Sequence, residues 1–225
     1  MTRLILVRHG LTDDNLLYRL SGWTDAPLNE IGRKQADCAA WQLEQMVQTG
    51  INIHAIYASP LQRTASTAEI IANRLRLPTI LCEGLKEMNF GKYDGHSILQ
   101  LYETNKSLVD RALEPGDDQF GWEGGETRPQ FFHRFEKAVR SIAGNHPDET
   151  VVVVTHAGAI AYFIAGILGH PLSHWNSYHV ANCSLTTVLF ENERFQLLRF
   201  NETDHVPKER FAAQIEEARK YLEMI

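Results

Sequence analysis

Leu4-Ile5-Leu6-Val7 and Val151-Val152-Val153-Val154 are runs of β-prone apolar residues with no polar position inside them. A strand with one wetted face alternates apolar and polar, so runs of this kind require a sheet covered on both faces. Both stop abruptly, the first in Arg8-His9-Gly10 and the second in Thr155-His156-Ala157-Gly158. Between and after them the apolar spacing switches repeatedly to the helical period, which is the pattern of an α/β fold.

In chain order, Ala36, Ala39, Leu43 and Val47 share a helical stripe after Pro27-Leu28-Asn29, and Ile51 to Ala58 reads as a second strand. Ser59-Pro60-Leu61-Gln62 has the order of a helix start, with Ser59 as N-cap, which puts Arg63 in the first turn. Leu61, Ala65, Ala68, Ala72 and Leu75 form that helix's expected buried face, and Thr79 to Cys82 a third strand. From Glu83 to Glu126 the pattern breaks into short Gly-punctuated pieces, with two helices expected between Ser97 and Leu113. Thr127 then caps a helix carrying Phe131, Phe135, Ala138 and Ile142.

A helix over 159–168 ends at Gly169 with Pro171 beyond it. Strands follow at Leu185 to Phe190 and Phe195 to Phe200, and an amphipathic tail after Pro207 carries Phe211, Ile215 and Leu222. No repeat or linker divides the 225 residues. The expectation is one domain, a three-layer α/β/α sandwich with a mostly parallel central sheet, a lid-like insertion at about 83–126 and a helical extension at about 206–225. The tail docks either on its own domain, the simpler choice, or on a second subunit in a homodimer.

A net charge of −6 leaves no basic surface for nucleic acid or an anionic membrane. The longest apolar stretch, 151–168, is interrupted at Thr155-His156-Ala157-Gly158 and is not expected to span a bilayer. Four apolar residues before Arg8 do not make a signal-peptide core, and Cys38, Cys82 and Cys183 are an odd, scattered set. Both point to a reducing cytoplasm.

In open α/β sheets ligands collect at the carboxyl ends of strands, where the His9 and His156 segments fall. A neutral imidazole is a competent nucleophile toward phosphorus, and Arg8 and Arg63 supply the charge a tetrahedral dianion needs. Each residue alone has a plainer reading: Arg63 a surface or capping arginine, His156 a satisfied buried histidine, Glu87 a solvated loop carboxylate. His170, His174 and His179 are close in sequence, but Gly169 and Pro171 break a helix there and no carboxylate or cysteine completes a set, so no metal site is expected.

Taken together, Leu6-Val7-Arg8-His9-Gly10-x-Thr12-x-x-Asn15, Ser21-Gly22-Trp23-x-Asp25-x-Pro27-Leu28, Ser59-Pro60-Leu61-x-Arg63-Thr64, Glu87-x-x-Phe90-Gly91 and Thr155-His156-x-Gly158 resemble the histidine phosphatase superfamily, the phosphoglycerate mutase-like family, in family order. The resemblance implies a two-step phosphoryl transfer needing neither metal nor cofactor, with a small phosphorylated metabolite as substrate. It casts His9 as the nucleophile, Arg8, Arg63, His156 and Asn15 as phosphoryl-binding groups, Glu87 as general acid and base, and Ser21 and Gly22 as substrate contacts.

Mutases of the family place Arg after the acid, where this chain has Met88. Phe90-Gly91-Lys92-Tyr93-Asp94-Gly95 is instead similar to an element of α-ribazole and broad-specificity phosphatases. The implied activity is phosphomonoester hydrolysis. A cofactor-dependent phosphoglycerate mutase and a non-catalytic phospholigand-binding protein are the alternatives. Tyr93, Phe120 and Trp122 are candidates to line a pocket for a base or sugar, although isolated aromatics are more often core.

Overall fold

A computed structural model describes residues 1–207 and 211–216. The chain builds β1 (Thr2–Arg8), α1 (Asp13–Leu16), α2 (Glu30–Gln48), β2 (Ala55–Ala58), α3 (Gln62–Leu75) and β3 (Thr79–Leu81). After an irregular stretch come α4 (Ile98–Thr104), α5 (Lys106–Leu113), α6 (Arg128–Asn145), β4 (Thr150–Thr155), α7 (Ala157–Ile167), β5 (Leu185–Glu191) and β6 (Arg194–Glu202). The strand order is β3-β2-β4-β1-β5-β6. The first four neighbours are parallel, and β5 runs against β1 and β6.

The uninterrupted apolar runs are the two central strands, and both their faces are buried. Leu4, Leu6, Val151 and Val153 face α6 and α7, against Phe131, Phe135, Val139 and Phe163. Ile5, Val7, Val152 and Val154 face the other way, against Ala36, Ala39 and Leu43 of α2 and Ala68 and Ile71 of α3. Two helical layers over a mostly parallel sheet are the expected α/β/α sandwich.

Three local expectations are corrected. The second strand starts at Ala55, not Ile51, because its partner β4 begins at Thr150, to which His54 N–H already donates. The helix after Ser59 begins at Gln62: Asp25 Oδ1 accepts the Gln62 N–H at 2.6 Å, while the Ser59 hydroxyl turns to His156. The buried face of α3 is Arg63, Thr64, Thr67, Ala68, Ile71 and Ala72, one step round from the apolar stripe. Thr64 and Thr67 are buried because their hydroxyls donate to the carbonyls of Leu61 and Arg63, both at 2.7 Å.

The stretch between β3 and α6 contains the two expected helices, α4 and α5. Residues 211–216 of the tail are helical, and Phe211 and Ile215 pack on the α2/α3 face of this same chain. Leu222 lies outside the described residues. No helix among the described residues is long and apolar enough to cross a membrane.

Candidate active site

Sheet register brings the two histidines together. Val7 pairs with Val154 and Arg8 with Thr155, so His9 and His156 leave adjacent parallel strands side by side. Their rings meet edge to face with centroids 5.4 Å apart. Ala58 also pairs with Val154, which places Ser59 and the start of α3 in the same row.

His9 is buried, and its Nδ1 lies 2.7 Å from the Gly10 carbonyl. A carbonyl only accepts, so Nδ1 carries the proton and Nε2 keeps its lone pair. Burial first, then the charges of Arg63 and Arg8, hold the imidazole well below its usual pKa. Gly10 N–H donates to Thr67 Oγ1 and the His9 carbonyl accepts from Asn182 Nδ2, which pins the backbone on both sides of the ring.

Arg8 Nη1 donates to the Val180 carbonyl at 2.7 Å, while its buried Nε has no partner among the described residues. Desolvation lowers the guanidinium to about 10, still cationic at neutral pH. A buried, unpaired N–H on a cation is a donor waiting for an anion.

Arg63, 1% exposed, is differently engaged. Its Nε donates to His156 Nδ1 at 3.3 Å, Nη1 to the Thr24 carbonyl, and Nη2 to the Ser21 and Gly22 carbonyls. It holds the 21–24 loop, and one Nη1 N–H remains uncommitted. Asp94 completes the loop by accepting the N–H groups of Gly22, Trp23 and Thr24.

Because His156 Nδ1 accepts from Arg63, its Nε2 carries the proton and donates to Ser59 Oγ at 2.8 Å. Burial, then Arg63, keeps this ring neutral too. His156 therefore sits behind His9 with both nitrogens engaged and does not line the cavity.

Glu87 is 7% exposed. Its Oε1 accepts from Met88 N–H and its Oε2 from Gly158 N–H, both at 2.9 Å. The second donor belongs to the N-terminal turn of α7, and a Cβ at position 158 would lie 2.5 Å from Oε1, so any other residue there would displace the carboxylate. Desolvation outweighs these bonds and the charges of Arg63 and Arg8, and raises the carboxyl above its usual value. Arg134 of α6 fixes the segment by donating to the carbonyls of Gly84, Lys86 and Glu87 while pairing with Glu126.

Arg8, His9, Arg63, Glu87, Asn15 and Ser21 all line one cavity of about 340 Å³. Asn15 Oδ1 accepts from Thr12 N–H and Asn182 Nδ2, which turns its own amide N–H groups to donation. Gly22 is not in the lining: its N–H is taken by Asp94, and a Cβ on it would meet the Met88 carbonyl at 2.3 Å. Of the aromatic candidates, Trp122 lines the cavity, whereas Phe120 is core and Tyr93 packs on Trp122. His170 pairs with Tyr178 rather than with His174 or His179, and no group of three or more His, Cys, Asp and Glu among the described residues is arranged to hold a metal ion.

Residues 4–203 match the profile of the histidine phosphatase superfamily, branch 1. The chain belongs to that superfamily. The chain is 31% identical to phosphoserine phosphatase 1 of Hydrogenobacter thermophilus over 92% of its length and 95% of that protein's. It is 30% identical to a probable phosphoglycerate mutase of Proteus mirabilis, over 85% of this chain and 86% of the other. Its fold superposes with a TM-score of 0.80, at 31% identity, on a mutant phosphoserine phosphatase from Entamoeba histolytica crystallised with phosphoserine, covering 92% of this chain and all of that one.

Asn182, Asp94, Ser59 and Arg134 are the site residues that sequence reasoning did not assign to it. Asp94 stood inside a quoted motif and Ser59 was given to a helix cap. Asn182 had no sequence signal beyond lying just before the strand that pairs with β1.

Proposed function

We propose that this histidine phosphatase hydrolyses small phosphomonoesters through a phosphohistidine on His9, without metal. The observation that carries the reading is the tautomer of His9: Gly10 holds Nδ1–H, so Nε2 is a neutral, unprotonated nucleophile facing a cationic cavity. In the first step Nε2 forms a bond to phosphorus, the P–O ester bond breaks, and the departing alkoxide takes the proton of Glu87. In the second, water loses a proton to Glu87, its oxygen bonds phosphorus, and the P–N electron pair returns to Nε2. The products are the alcohol and inorganic phosphate, with the enzyme regenerated.

Burial that raises Glu87 supports its acid role, since the group must be protonated when the alcohol leaves. Arg8 supports the phosphoryl oxygens through its unpaired Nε, and Arg63 through its charge and remaining N–H. His156 acts as a positioning residue between Arg63, Ser59 and His9 rather than as a direct clamp. Hydrolysis rather than mutase activity is favoured by Met88, a buried apolar side chain at the place where mutases carry a cation.

The test is phosphate release in excess EDTA from a panel of phosphomonoesters, with 3-phosphoglycerate isomerisation primed by 2,3-bisphosphoglycerate run beside it. Hydrolysis that persists in EDTA and is abolished in His9→Ala is expected. Rapid isomerisation with little phosphate release would make the protein a mutase. Binding of phosphoesters without turnover by the wild type would make it a phospholigand-binding protein, and loss of activity restored by a divalent cation would overturn the metal-free mechanism.

A further inference from the structure

Away from its phosphoryl end the cavity is walled by hydrocarbon. Met88, Phe90, Ile98, Leu113, Trp122 and Trp175 face into it, drawn from the stretch between β3 and α6 on one side and from the segment after α7 on the other. Phe90 and Trp122 meet edge to face at 5.3 Å, and Tyr162 stacks on Trp175 at 5.4 Å, so the wall is a packed surface continuous with the core. Two of its polar atoms are engaged within the protein: the Tyr162 hydroxyl accepts from Arg128 Nε at 3.1 Å, and Trp175 Nε1 donates to the Ala112 carbonyl at 3.4 Å.

The charges that line the cavity sharpen this. Glu87 is the single carboxylate in the lining, and the remaining charged or titratable groups besides Tyr18 and Tyr162 are Arg8, His9, Arg19, Arg63 and His179. A substrate ammonium would be desolvated among cations, with no counter-charge except the acid that must keep its proton for the leaving group. Sugar hydroxyls laid against Met88, Phe90, Ile98 and Leu113 would meet ring faces and methyl groups instead of hydrogen-bond partners.

We infer that the organic part of the substrate is an uncharged, apolar alcohol of roughly ring size, carried as its phosphomonoester, and not an amino acid such as serine. Turnover of such a substrate rests on the hydrolase reading above, whereas its binding does not.

The test separates the two. For the full chain, kcat/KM is measured for n-alkyl phosphates from ethyl to octyl, which share one kind of leaving oxygen, and for O-phosphoserine and glycerol 3-phosphate. Dissociation constants of the matching n-alkylphosphonates, which cannot be hydrolysed, are measured by calorimetry. Each added methylene is expected to raise both kcat/KM and affinity about fourfold until the wall is covered, with phosphoserine below ethyl phosphate. Leu113→Ala and Ile98→Ala should flatten that gradient; Leu113 is 39% exposed, so its truncation leaves folding intact. A flat series with phosphoserine as the best substrate overturns the inference and leaves the hydrolase reading standing. Phosphonate affinities that climb with chain length, with no turnover of any ester, support the pocket and overturn the hydrolase reading. Neither turnover nor a chain-length gradient overturns both.

Discussion

At the residue scale, the site depends on two groups whose protonation is pushed in opposite directions by the same burial. Desolvation favours the neutral form of each, which is the free base for His9 and the acid for Glu87. In the proposed mechanism His9 acts unprotonated, so with its pKa held well below 6.5 activity should fall on the acid side only under clearly acidic conditions. The same mechanism needs Glu87 protonated, so activity should fall on the alkaline side as it ionises, above the ordinary 4.5 of a glutamate. The expected kcat/KM profile is a bell whose alkaline limb belongs to Glu87. Glu87→Gln should remove that limb and slow alkyl phosphates by about 10²–10⁴-fold, with a smaller loss for p-nitrophenyl phosphate, whose leaving group needs no proton. An alkaline limb unchanged in the variant would assign the acid elsewhere. Six of the expected site residues, Arg8, His9, Asn15, Ser21, Arg63 and Glu87, do line one cavity, and His156 and Gly22 do not. Asn182 was illegible because it is 173 residues from His9 and meets it through a strand pairing that no local pattern announces.

At the scale of elements, side chains on one helix fix the position of another segment's chemistry. Arg128, fully buried near the start of α6, donates to the carbonyls of Arg111 and Ala112 at the end of α5, to that of Asp117 just beyond it, and to the Tyr162 hydroxyl on α7. It ties the apolar wall of the cavity to the sandwich without touching the phosphoryl end. Arg128→Met removes the donors to the Arg111 and Asp117 carbonyls and one of the two donors to the Ala112 carbonyl, and should lower stability by about 2–4 kcal/mol. It should also raise KM for bulky substrates more than it lowers kcat. Urea unfolding and steady-state kinetics measure the two effects, and a kcat loss at unchanged KM would contradict the assignment. Strands, helices and the position of the irregular stretch were legible because periodicity reports burial on regular elements. The face of α3 was not: Arg63, Thr64 and Thr67 are buried against the apolar pattern by hydrogen bonds that hydrophobicity does not record.

The whole molecule carries net charge −6 yet gathers Arg8, Arg63 and two neutral histidines at the carboxyl ends of its central strands. That arrangement makes stability depend on pH. Unfolded histidines protonate as pH falls below about 6.5, while folded His9 and His156 resist, so the unfolded state binds more protons and stability drops. The loss runs from about pH 6.5 downward to the depressed folded pKa values, at about 1.4 kcal/mol per pH unit for each histidine. Urea titrations across that range should show the slope, and His9→Gln should remove about one proton's share of it; an identical slope in the variant would mean that His9 titrates normally in the fold. The layered fold was legible because both faces of the central sheet had to be covered, whereas the cavity's lining is assembled from segments far apart in the chain, from Arg8 to His179, whose convergence no local period announces.

The proposed transfer of the phosphoryl group to His9 can be caught by quenching turnover in alkali and mapping phosphorylation by mass spectrometry of the intact chain and its peptides. The account predicts one phosphoryl group on His9 of the wild type, absent from His9→Ala. Turnover with the phosphoryl group on another residue, or undiminished turnover in His9→Ala, would contradict it.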